Sequence, residues 1–106
     1  MSRFPESAMA SDGIRIERVR EPSAWFEAAL QQLVPLRGSG RHAPPAEEGA
    51  AMLAEAQVHV LAARLPDPDR RAVGMVCLVF YRVPTGMRAR IEDLVVAEDG
   101  RSAGVG

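Results

Sequence analysis

The sequence contains no lysine. All 13 of its basic residues are arginine, and 14 acidic residues bring the net charge to -1. That balance argues against a general nucleic-acid binder, which needs a basic face to displace the counterions of the phosphate backbone, and leaves room only for a local basic patch. Cysteine occurs once, at Cys77, so an internal disulfide and a Cys-Cys metal clip are both excluded. Two separated histidines, His42 and His59, add little to any metal site, and no metal is expected. A single thiol fits the reducing cytoplasm. The first residues lack the basic-then-apolar layout of a secretory signal. The longest apolar run, residues 72–81, is about half of what a helix needs to cross a bilayer. A soluble, unsecreted chain with no membrane partner is expected.

What is present is enough for one domain. The chain has 106 residues, 47% of them apolar, a length that buries one core and leaves no room for a second. Residues 1–13 mix Ser, Pro, Glu and Gly without periodicity and read as a flexible leader. Residues 14–19 open with apolar/polar alternation, the mark of a strand with one buried face. Glu21, Pro22 and Ser23 then supply a turn and a helix start. The pairs Trp25/Phe26, Ala29/Leu30 and Leu33/Val34 recur every four residues, so a first helix is predicted to about Pro35.

A basic, glycine-rich stretch over residues 37–41 precedes Pro44 and Pro45. With Glu47 and Glu48 facing the positive end of the helix dipole, these prolines announce a second helix over 46–56, with Met52, Leu53 and Ala56 as its buried stripe. Residues 58–65 read as a strand closed by Pro66 and Pro68. Residues 72–81 are continuously apolar and rich in β-branched side chains, which predicts a central strand covered on both faces. Residues 88–96 form a further strand, the fourth in this reading. The fold class is therefore mixed α/β: strand, two helices, then three antiparallel strands.

The chain ends in Arg101, Ser102, Ala103, Gly104, Val105 and Gly106, a Gln/Arg-x-x-Gly-x-Gly/Ala pattern after a hydrophobic strand. Glycines in such a loop let successive backbone N–H groups point inward, where they cradle a pyrophosphate. This pattern, preceded by residues 90–96 (RIEDLVV) and a short acidic turn, resembles motif A of the GNAT superfamily of acyl-CoA-dependent N-acyltransferases. The order of elements from residue 14 onward is similar to the amino-terminal part of that fold, so residues 14–106 are expected to be a GNAT-like domain whose carboxy-terminal part is missing.

The resemblance implies acetyl transfer from acetyl-CoA to a primary amine on a small molecule or peptide. It implies that the amides of residues 101–106 hold the pyrophosphate, and that the backbone of Leu94, Val95 and Val96 pairs with the pantetheine arm. It also implies Glu92 as general base, because a carboxylate at that point of the fourth strand often takes the amine proton in the family. The plainer reading of Glu92 is a partner of Arg88 or Arg90. Strand alternation predicts Glu92, Leu94 and Val96 on one face and Ile91, Asp93 and Val95 on the other. The tyrosine-bearing helix that usually supplies the general acid has no counterpart up to Gly106, and Tyr81 is expected in the core or at the rim. The alternative is accordingly a truncated, non-catalytic module that binds coenzyme A or forms a homodimer through its exposed fourth strand.

Other residues have plain readings. His59 is expected at the surface of a strand and His42 in a solvated loop, while Cys77 should be an inert buried thiol. Arg37 and Arg41 belong to the same solvated loop. The acceptor has no residue pattern that names it.

Overall fold

The computed structural model describes the backbone of residues 7–9 and 13–102, with side chains over residues 13–100. Five strands form one antiparallel sheet in the order β1-β2-β3-β4-β5, each paired with its neighbour in sequence. They are β1 (Ser7–Met9), β2 (Arg15–Val19), β3 (Val58–Arg64), β4 (Ala72–Val83) and β5 (Gly86–Val96). Helices α1 (Ala24–Leu33) and α2 (Ala46–Ala54) lie between β2 and β3, and a single turn, α3 (Glu98–Ser102), follows β5.

The expected leader contains a strand. Ser7, Ala8 and Met9 pair with Glu17, Ile16 and Arg15. Three residues are too few to display a period-2 pattern, so composition alone could not register them. The rest of that segment up to residue 12 lies outside the described residues.

Helix α1 begins where Ser23 caps it, its side chain accepting from the Phe26 amide at 3.2 Å. Phe26, Ala29, Leu30 and Leu33 form its buried face, at i, i+3, i+4 and i+7. These four come from the predicted pairs, whose other members, Trp25 and Val34, are half-buried beside them. Pro35 cannot donate to the helix, and the chain tightens into a 3-10 turn over Val34–Arg37.

Helix α2 is shorter than predicted. It stops at Ala54 because Glu55 turns extended, with φ -78° and ψ 125°, so Ala56 is exposed rather than part of a stripe. Met52 and Leu53 are half-buried against the core, and Gly49 provides the close approach to α1.

Both long helices pack on one face of the sheet. Val60 and Ala62 of β3, Met75 and Cys77 of β4 and Val95 of β5 form one core with Phe26, Leu30 and Leu33. The opposite, open face carries Leu61, Val76 and Leu78 half-buried, with Ile91 and Leu94 exposed. The expectation that β4 is covered on both faces therefore holds from Ala72 to Met75 and fails beyond it. A small second core of Ile14, Ala63 and Val73 covers only one corner of that open face.

No helix among the described residues is long and apolar enough to cross a membrane. None of their His, Cys, Asp and Glu side chains form a group of three or more that could hold a metal ion.

Candidate functional site

The second half of β5 departs from regular pairing. Cys77 of β4 is opposite Glu92 and Met75 is opposite Val95, so Val76 faces two residues, Asp93 and Leu94, that have no partner of their own in the register. This is a β-bulge. Asp93 adopts φ +50°, a left-handed conformation that aspartate tolerates better than most residues do.

The bulge overturns the predicted alternation. Glu92 lies opposite Cys77 and Val95 opposite Met75, which puts both on the helix-covered face. Leu94 and Val96 line a shallow apolar hollow of about 160 Å³ on the open face, with Ile16, Leu61 and Val76. An extra residue in a strand shifts every following side chain by one position relative to strict period 2. Asp93 therefore lies on the same side as Glu92, and its carboxylate meets an arginine from the helix layer.

That arginine is Arg37, at the end of the 3-10 turn after α1. Its Nε is 3.4 Å from Asp93 Oδ1, and its Nη1 donates to the Leu94 carbonyl at 3.5 Å. Arg37 is thus engaged with the bulge rather than loose in a solvated loop. Glu92 has a weaker tie, its Oε1 3.7 Å from Arg90 Nε two residues back along the same strand. Arg88 turns away to the Thr85 hydroxyl at 2.9 Å. Of the two arginines named for Glu92, the structure gives it Arg90.

Beneath the two carboxylates sits Cys77, buried and unbridged. Burial first, then the negative charges of Asp93 and Glu92, pushes its thiol pKa up. A protonated, apolar-packed thiol is a poor nucleophile, in line with the inert role expected of it.

Past the bulge the chain is anchored to the start of β4. The Ala97 amide donates to the Val73 carbonyl at 2.8 Å, and Arg71 Nη2 donates to Asp99 Oδ2 at 2.6 Å. The hydrogen bond to Arg71 holds the Asp99 carboxyl below the usual carboxylate range and raises Arg71 in turn. Gly100 packs so tightly that a Cβ there would lie 2.7 Å from the Val73 carbonyl oxygen. Residues 98–100, read as an acidic turn, are the first part of α3, and the backbone of Arg101 and Ser102 completes it. The side chains of Arg101 and Ser102, and all of Ala103, Gly104, Val105 and Gly106, lie outside the described residues, so the predicted pyrophosphate loop does too.

The remaining candidates are placed as follows. Tyr81 is exposed at the far end of β4, a rim position. His59 packs against Phe80 with ring centroids 4.7 Å apart, and His42 is exposed in the segment before α2. Neither lies on β5.

Sequence reasoning missed two things: the bulge and its tie to Arg37. The adjacent acids Glu92 and Asp93 in an otherwise apolar and basic strand were the available signal, since Asp is the residue type there that best accepts positive φ.

In comparisons with family models, curated proteins and solved structures, the chain matches none.

Proposed function

We propose that this chain belongs to an acyl-CoA-dependent N-acyltransferase of the GNAT type, moving an acetyl group from acetyl-CoA to a primary amine on a small molecule or peptide. The observation that carries this reading is the bulge at Asp93 and Leu94. It interrupts the ladder with β4 on an edge strand of the described sheet, with residues 95–100 between it and the glycine-bearing segment 101–106. The bulge takes backbone groups out of pairing with β4, Arg37 takes up the Leu94 carbonyl there, and the outer edge of β5 has no strand partner among the described residues. In this reading the outer edge of Leu94, Val95 and Val96 pairs with the pantetheine arm, and the amides of residues 101–106 hold the pyrophosphate.

Of the two acids, Glu92 suits the base better than Asp93. Asp93 is committed to Arg37, whereas Glu92 keeps only a long contact to Arg90. Glu92 accepts a proton from the acceptor ammonium, and the freed amine nitrogen forms a bond to the acetyl carbonyl carbon. The carbon–sulfur bond then breaks, and coenzyme A leaves as its thiol with a proton returned from the former amine. Arg37 holds Asp93 and the Leu94 carbonyl in place beside this reaction, a positioning role.

The test is kinetic. Glu92→Gln keeps size and hydrogen bonding but cannot take a proton, so kcat falls about 10²-fold or more while acetyl-CoA affinity stays close to that of the parent. Asp93→Asn changes kcat far less. An unaltered rate and pH profile in Glu92→Gln would remove Glu92 from the chemistry.

A further inference from the structure

Strand β5 has a second property that acyl transfer does not use: its two faces are chemically opposite. Met87, Ala89 and Ile91 lie across from Arg82, Phe80 and Leu78, on the open face of the sheet, and Leu94 joins them there after the bulge. Arg88, Arg90 and Glu92 lie across from Tyr81, Val79 and Cys77, on the other face. Met87 is 55% exposed, Ile91 64% and Leu94 53%, a concentration of exposed apolar side chains on one strand. Among the described residues nothing pairs with the outer edge of β5.

An open edge carrying only basic residues would repel a second copy of itself. Here the charges run from basic to acidic, and that order is self-complementary under a two-fold axis. An antiparallel alignment centred on Ile91 sets Arg90 opposite Glu92 of the second copy and Glu92 opposite Arg90 of the second copy. Opposite charges directly across a strand pair are favourable, and like charges are not.

The alternatives are penalised. Centring on Arg90 opposes two arginines, and centring on Glu92 opposes two carboxylates. A one-residue slip in register sets Ile91 against Arg90 and mixes apolar with charged faces.

The bulge keeps the apolar row in step as well. With Asp93 and Leu94 counted as one position, Ala89 meets Leu94 of the second copy and Met87 meets Val96. Asp93 remains with Arg37 of its own chain. We infer that two copies of this chain pair antiparallel along β5, centred on Ile91, to make one continuous sheet across the axis, an isologous contact with Arg90–Glu92 pairs on one face and an apolar row on the other. This inference stands apart from the acyl-transfer reading. The two uses share Glu92 and the outer edge of residues 94–96, so acetyl-CoA and the second copy compete for them, and saturating acetyl-CoA converts the dimer to a ligand-bound monomer.

Sedimentation velocity on the 106-residue chain at low salt tests it. The parent sediments as a dimer. Arg90→Glu alone gives a chain with two acids at positions 90 and 92, Glu92→Arg alone gives two arginines, and each sediments as a monomer with unchanged far-ultraviolet circular dichroism. An equimolar mixture of the two variants returns a dimer, because each now supplies what the other lacks. An ion pair within one strand cannot produce that rescue. A complementary readout is Ile91→Cys, which places two thiols across the axis and gives an intermolecular disulfide on mild oxidation, whereas Met87→Cys does not cross-link to itself. A monomeric parent, single variants that stay dimeric, or a mixture that stays monomeric would overturn the proposal, as would capture of a different strand at this edge in place of a second copy.

Discussion

The Arg37 guanidinium spans the bulge of β5, with Nε 3.4 Å from Asp93 Oδ1 and Nη1 donating to the Leu94 carbonyl. This contact joins the end of the first helical segment to the one irregular point of the last strand, 57 residues further on at Leu94. Both side chains are well exposed, so the ion pair is worth at most about 0.2–1 kcal/mol. The larger local constraint is the backbone of Asp93 itself, held at φ +50°.

A substitution series at Asp93 separates the two effects. Asp93→Asn tolerates positive φ and loses only the exposed ion pair, so it costs about 1 kcal/mol or less. Asp93→Gly is similarly mild. Asp93→Val forces a β-branched residue into the left-handed region and costs about 1–2 kcal/mol beyond Asp93→Asn. Urea denaturation reads the difference, and equal midpoints for the Val and Asn variants would mean that the bulge is not maintained in solution.

Two glycines should respond in opposite directions to alanine. At Gly100 the added Cβ meets the Val73 carbonyl oxygen at 2.7 Å, so backbone has to move, and a loss of about 1–3 kcal/mol follows. At Gly49, inside α2, the nearest atom is Leu30 Cδ1 at 3.4 Å, the end of a flexible side chain. Alanine there gains helix propensity and stabilises by about 0.5–1 kcal/mol. Thermal unfolding of both variants checks the signs, and a Gly100→Ala variant as stable as the parent would contradict the packing of α3 on β4.

Cys77 carries a pH dependence whose sign is determined by burial. Its thiol pKa is raised in the folded state, so above the ordinary thiol value, about 8.5, the unfolded chain has released a proton that the folded chain still holds. The associated stability is complete below that pH and is lost as pH rises through the folded-state value. Cys77→Ala lowers stability at neutral pH through lost packing but removes this alkaline decline. Measured by thiol labelling, the folded protein should react slowly at pH 8 and in urea quickly. Equal rates in the two states would place Cys77 at the surface.

The parts of the fold that were legible in the sequence are those with a strong local pattern. Ser23 ahead of the Phe26, Ala29, Leu30 and Leu33 stripe marked α1, and the apolar run from Ala72 marked β4. Pro66 and Pro68 marked the end of β3. What escaped depended on tertiary context. The strand at Ser7–Met9 exists by pairing with β2, not by its own composition. The open face of β4 was misread because a continuous apolar run looks the same whether one layer of helices covers it or two. At the candidate site, the position of Glu92 was readable, but the faces of Leu94, Val95 and Val96 were not, since one residue at positive φ reverses the alternation that follows it.

Isothermal titration of the 106-residue chain with acetyl-CoA tests the account most directly, run beside Gly104→Pro and Ser102→Ala. If backbone donors near the terminus hold the pyrophosphate, the parent binds acetyl-CoA saturably, Ser102→Ala binds almost as well, and Gly104→Pro, which removes an N–H and restricts the chain, loses binding. No binding by the parent, or equal affinity in the parent and Gly104→Pro, would contradict the acyl-CoA reading.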